Sequence, residues 1–181
     1  RISDRAAVEN PGFYQGEPVW ITAEKQGVIC ASFFWVGSEA PVLGKHPTYW
    51  KKYDESVTYG ERIDTVIKWL SLPSDRRPGL VTLYFDEPDA TSHDFGPVSK
   101  QTGTVVARLD SLLGVLRSKL SGLPIASKIN LIVLADHGMA QLSPEKFINL
   151  RALVPPRMIS ELYGSNPVYH INPAKGKADS L

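Results

Sequence analysis

Two near-continuous apolar runs, Leu80 to Phe85 and Ile129 to Ala135, flank a long segment of helical periodicity. A strand that is apolar at every position suits a sheet covered on both faces, as parallel sheets are. Between the runs, Thr102, Val105, Val106, Leu109, Leu112, Leu113, Leu116 and Leu120 recur at helical spacing, which predicts a helix over roughly Ser99 to Leu120 with that stripe buried. Strand, helix, strand in this order implies an α/β fold: a mostly parallel sheet with helices on both faces.

The remaining segments fit that frame. The first stretch is turn-rich, with Asn10-Pro11-Gly12. Val19 to Ala23 opens a short helix that Glu24-Lys25-Gln26 continues and Gly27 stops. Val28 to Trp35 is a β-type run, and Val36 to Tyr53 reads as loop, punctuated by Gly37, Pro41, Gly44 and Pro47. Ile63, Val66, Ile67 and Leu70 predict an amphipathic helix over about Gly60 to Leu72. Ser143-Pro144-Glu145 has the form of a helix start, and Pro167 to Ile171 that of a further strand.

Composition excludes some classes. The 181 residues carry 20 basic and 19 acidic side chains, so charge gives no argument for a nucleic-acid or membrane surface. One cysteine, Cys30, leaves no internal disulfide, and no apolar run reaches the length of a membrane span. The chain opens at Arg1 without a signal peptide, which suggests a start inside a longer protein.

Ligand sites in open parallel sheets lie beyond the carboxyl ends of the strands. The first such end reads Asp86-Glu87-Pro88-Asp89-Ala90-Thr91-Ser92-His93, with Pro88 suited to the first position of a helical turn. Asp89 and His93 are four apart, so one helical turn sets both on one face, as half of a Zn²⁺ site or as an ordinary solvated cap. The second end reads Ala135-Asp136-His137-Gly138. Neighbouring strand side chains diverge, and Gly138 lets the chain turn so that both can converge; an Asp cap beside a half-buried His is the alternative. Together the two ends carry two of the four histidines, each with an Asp beside it. Asp and His without thiolate suit a two-zinc site for phosphoryl chemistry. His46 and His170 read as structural or surface residues. Trp35, Tyr53 and Tyr84 could stack a nucleobase or pack the core.

At these residues the chain resembles the ectonucleotide pyrophosphatase/phosphodiesterase family of the alkaline phosphatase superfamily. The matching segments are Gly16 to Ala23, Phe33 to Glu39, Ser56 to Ile63, Leu83 to Pro97 and Leu134 to Met139, with Asp89 to Thr104 similar to plant members. The resemblance implies an alkaline-phosphatase-like sheet, incomplete here, with residues 1–181 forming part of one catalytic domain and no separate second domain. It implies Asp89 and His93 as two ligands of one zinc and Asp136 and His137 as two of another. Trp35, Tyr53 and Tyr84 would line the nucleotide pocket, with Glu39 near the base. Val36 stands where the family usually has proline, which would shift a pocket loop and spare the metals.

The implied reaction is hydrolysis of nucleotide pyrophosphate or phosphodiester bonds with release of nucleoside 5′-monophosphate, through a phosphorylated threonine and two Zn²⁺. A choline or lysophospholipid phosphodiesterase of the same superfamily is the alternative. The family's threonine nucleophile, its neighbouring asparagine and the first aspartate ligand all precede the present segment, and a further histidine ligand follows it. Thr48, Thr91 and Thr102 do not occupy the nucleophile's context, and His170 matches no ligand position. Two ligands per ion are fewer than the three a catalytic zinc normally takes, so the expectation for these residues alone is inactivity.

Overall fold

The computed structural model describes residues 5–165 and 168–180, which fall into two compact units that divide after Met139. In the first unit, Asn10 closes a turn onto the Gly12 amide at 2.9 Å, preceded by a short helix α1 (Arg5–Glu9) that turn signals alone do not predict. α2 (Val19–Lys25) leads into β1 (Cys30–Phe33), the central strand and the most deeply buried. β2 (Tyr49–Lys51) pairs parallel with one edge of β1. α3 (Tyr59–Leu70), β3 (Leu80–Leu83), α4 (Asp89–Phe95) and α5 (Lys100–Ser121) complete the unit, with β3 parallel to β1 on its other edge. The sheet order is therefore β2-β1-β3, all parallel.

Alternation along the strands sorts the core into two faces. Cys30 and Leu80, register partners, pack with Trp20 and Ile21 of α2. Leu83 and Phe85 lie instead against Ile63 of α3 and Leu116 and Leu120 of α5. Helices thus cover both faces, as the apolar runs imply. Burial raises the Cys30 thiol to about 11, so it remains a protonated core residue.

α3 starts where its sequence says it should. Thr58 Oγ1 accepts from the Glu61 amide at 3.3 Å, and Glu61 Oε2 accepts from the Thr58 amide at 2.8 Å, a reciprocal capping box. α5 is capped in the same way by Ser99, whose hydroxyl accepts from the Thr102 amide at 3.1 Å. Of its expected stripe, Thr102, Leu116 and Leu120 are buried, whereas Val106 is exposed. Val106 sits at the stripe's margin, one position off the arc that meets α3.

Three expectations need correction. The segment 36–53 is not all loop, because Tyr49–Lys51 forms the edge strand β2. No local pattern marks so short an edge strand; pairing with β1 creates it. Pro88 is the N-cap of α4 and Asp89 its first residue, one position later than expected. Ile129 to Ala135 is not a strand. Leu131, Ile132, Val133 and Leu134 are 44%, 79%, 67% and 64% exposed. A strand requires cross-strand hydrogen bonds, and among the described residues nothing pairs with this one.

In the second unit, the start signal at Ser143-Pro144-Glu145 yields a single 3₁₀ turn, Pro144–Lys146, followed by α6 (Leu150–Leu153). β4 (Ile159–Ser165) and β5 (Val168–Pro173) form an antiparallel pair, with Tyr163 opposite His170. Pro167, placed at the start of that strand by sequence, lies outside the described residues. Among the described residues no helix is long and apolar enough to cross a membrane.

Candidate metal centre and nucleotide pocket

β3 delivers the chain to the first cluster. Beyond Leu83 the backbone passes Tyr84, Phe85 and Asp86 and enters α4 at Asp89. Glu87 steadies this entry: its carboxylate accepts from Thr91 Oγ1 at 2.9 Å and from the Thr91 amide at 3.2 Å. Within α4 the four-residue spacing sets Asp89 Oδ1 3.6 Å from His93 Nε2.

The second cluster meets the first. Asp136 Oδ2 lies 3.6 Å from His137 Nε2, and the same nitrogen lies 3.8 Å from Asp89 Oδ1. His137 Nδ1 is 3.0 Å from the Gly138 carbonyl. A carbonyl can only accept, so Nδ1 carries the proton and Nε2 presents its lone pair toward the two carboxylates. That hydrogen bond, with Asp136 and Asp89 adding their charge, raises the His137 pKa above its ordinary value. Asp136 is itself 83% exposed in its side chain.

These residues fit half-sites for zinc. Two ligands about 2.1 Å from one tetrahedral ion lie roughly 3.4 Å apart; the Asp89/His93 and Asp136/His137 pairs are each at 3.6 Å. Asp89 Oδ1 is shielded from solvent and has no hydrogen-bond donor. A shielded carboxylate oxygen without a donor is costly unless a cation completes it. Each pair supplies two ligands, and among the described residues no three His, Cys, Asp or Glu side chains are arranged to hold one ion.

Tyr84 joins this cluster to the aromatics. Its hydroxyl is held above the ordinary tyrosine range by burial first and then by the charge of Asp86, Asp136, Tyr53 and Asp89. Tyr53 packs its ring on Phe34 at 5.0 Å, and Arg5 lies 5.7 Å from the centre of the same ring. Arg5 also forms an ion pair with Glu39, which is 7% exposed. An open depression runs along Arg5, Lys52, Tyr53, Asp54 and Glu55. Trp35 is drawn the other way: it packs half-buried against Trp20, Ile21 and Cys30. Its carbonyl accepts from Ser38 Oγ at 2.7 Å, and Gly37 turns the loop at φ 86° where a Cβ would stand 3.0 Å from Tyr14. The four ligand candidates thus converge, and Glu39 reaches Tyr53 through Arg5.

Sequence reasoning missed Arg5, Phe34, Arg62 and Asp86. Arg62 left a signal: it stands four residues before Val66 on the stripe α3 buries, where a charged residue needs a specific partner. Arg5 left none, since its helix is unsupported by pattern.

Comparison with known proteins shows the family to which the chain belongs. Residues 1–180 match the family described as Type I phosphodiesterase / nucleotide pyrophosphatase. The chain is 41% identical over 166 residues to human ectonucleotide pyrophosphatase/phosphodiesterase family member 1, covering 91% of this chain and 18% of that protein. It is 41% identical over 141 residues to a venom phosphodiesterase of Crotalus durissus collilineatus, covering 78% and 17% respectively. Among solved structures, murine ectonucleotide pyrophosphatase/phosphodiesterase 5 superposes with a TM-score of 0.81 at 34% identity, over 91% of this chain and 43% of that one. An inactive variant of the murine protein in complex with AMP superposes with a TM-score of 0.78. The chain spans less than a fifth of the length of these two sequence relatives.

Proposed function

Because this chain belongs to the type I phosphodiesterase / nucleotide pyrophosphatase family, the ectonucleotide pyrophosphatase/phosphodiesterases of the alkaline phosphatase superfamily, we propose that the full-length protein hydrolyses nucleotide pyrophosphate or phosphodiester bonds with two zinc ions and releases nucleoside 5′-monophosphates. The observation that carries the reading is the pairing of ligand groups in two segments, Asp89 with His93 and Asp136 with His137, bridged by a shielded, donorless oxygen on Asp89. Asp89 and His93 would hold one ion, and Asp136 and His137 the other. Bound there, the ions supply Lewis acidity and neutralise charge developing on the phosphoryl oxygens.

The chain's own residues contribute binding and orientation. His137 is fixed in the metal-ready tautomer by Gly138. Tyr84 is kept as a neutral phenol by burial and by the charge of Asp86, Asp136, Tyr53 and Asp89. Tyr53 and Tyr84 supply aromatic surface for a base, and stacking of one base is worth about 1–3 kcal/mol. A similar solved structure carries AMP, which is the product class proposed here.

The test uses the full-length protein. Release of nucleoside monophosphate from a dinucleotide should vanish on chelation and return with zinc; full activity in the chelated, metal-free protein would overturn the reading.

A further inference from the structure

We propose that Arg62 is a positioning residue for base recognition, a buried cation that holds the walls of the nucleotide pocket without touching the nucleotide. The inference rests on the nucleotide reading above. Arg62 is 2% exposed, so its guanidinium cannot reach a ligand. Its contacts are instead directed at pocket segments. Nη1 donates to the Tyr84 carbonyl at 3.1 Å and to Asp86 Oδ1 at 2.8 Å, and Nε donates to the Val57 carbonyl at 3.2 Å.

The guanidinium carbon also lies 4.9 Å from the Phe34 ring centre and 4.7 Å from the Tyr59 ring centre. Phe34 has φ 62°, a left-handed conformation rarely adopted by a bulky residue, directly before Trp35. Its ring is also the support on which Tyr53 rests at 5.0 Å. Arg62 therefore binds the Tyr84 backbone directly, braces Tyr53 through Phe34, and fixes the residue from which Trp35 departs. Tyr53 and Tyr84, on two separate segments of unit one, share this single brace. None of the four metal-ligand candidates bonds to it.

A planar fork between two rings is a geometry lysine cannot copy, because an ammonium is a point charge on a flexible stem. Arg62→Lys keeps the charge opposite Asp86 and loses the fork. The readout is selectivity between two chromogenic esters of the full-length zinc-loaded protein: 4-nitrophenyl thymidine 5′-monophosphate, which carries a base, and bis(4-nitrophenyl) phosphate, which does not. Losing part of the stacking surface should lower the kcat/KM ratio of nucleotide to base-free ester about tenfold, through KM on the nucleotide ester. A purely structural role would lower both esters together and leave the ratio unchanged.

Should Arg62→Lys fail to fold, Phe34→Leu removes the ring that transmits the brace and should lower the same ratio. A wild-type protein that prefers the nucleotide ester, with a ratio unmoved by either folded variant, overturns the positioning role and leaves the nucleotide reading standing. A wild-type protein with no preference overturns the nucleotide reading and this inference with it.

Discussion

Asp89 gives the sharpest link between stability and metal binding. Its Oδ1 is shielded, has no donor, and faces His93 Nε2 at 3.6 Å and His137 Nε2 at 3.8 Å. Because His137 donates through Nδ1 to Gly138, its Nε2 lone pair points at a carboxylate oxygen when the imidazole is neutral. Two acceptors facing each other stabilise nothing, and an uncompensated acceptor costs about 1–3 kcal/mol. Asp89→Asn can place an amide N–H at that position and donate to either ring. Closing the gap to about 2.9 Å consumes part of the gain, leaving a net stabilisation of about 1 kcal/mol without metal. With zinc the order must invert. Free zinc at about 100 times Kd stabilises the wild type by about 2.7 kcal/mol, and the variant should forfeit most of that. Thermal unfolding of the full-length protein, in chelator and in excess zinc, measures both arms. An Asp89→Asn variant less stable than wild type in chelator would refute the reasoning, because Oδ1 would then have to serve a structural donor.

Two further perturbations test the frame that carries the site. Thr58→Ala should cost about 1 kcal/mol in denaturant unfolding by removing the hydroxyl that accepts from the Glu61 amide, while the bond from the residue-58 amide to the Glu61 carboxylate remains. Glu61, whose hydrogen bonds to Thr58 hold its pKa below the ordinary 4.5, stabilises the fold fully above that pH; the contribution disappears as pH falls through the depressed folded value, and acid titration of α3 helicity should follow that loss. Ile63→Ala, at a fully buried position between α3 and α5, should cost about 3 kcal/mol in the same unfolding assay; a loss under 1 kcal/mol would show that the cluster of Ile63, Leu116 and Leu120 is not the core of this face.

The central elements were legible because their signals are local. The apolar spacing of α3, the period of α5 and the apolar run of β3 each state their structure in the sequence. The run from Ile129 to Ala135 states its preference equally clearly, yet strand formation depends on a partner that the described residues lack. β2 is the converse, three residues made a strand by β1 alone. At the site, Asp89, His93, Asp136 and His137 were visible as pairs following two apolar runs, whereas their convergence on Asp89 Oδ1 is a tertiary fact. The brace at Arg62 was hidden for the same reason: Phe34, Tyr59, Tyr84 and Asp86 meet it from three segments, and the sequence marks only a charge on a buried stripe.

Metal content, measured per chain on the full-length protein and two of its variants, tests the two-site account most directly. The account predicts two zinc ions in the wild type and about one in each of His93→Ala and His137→Ala, because each substitution removes a ligand from a different ion. A wild type that retains no zinc after dialysis, or two ions retained in both variants, would contradict it.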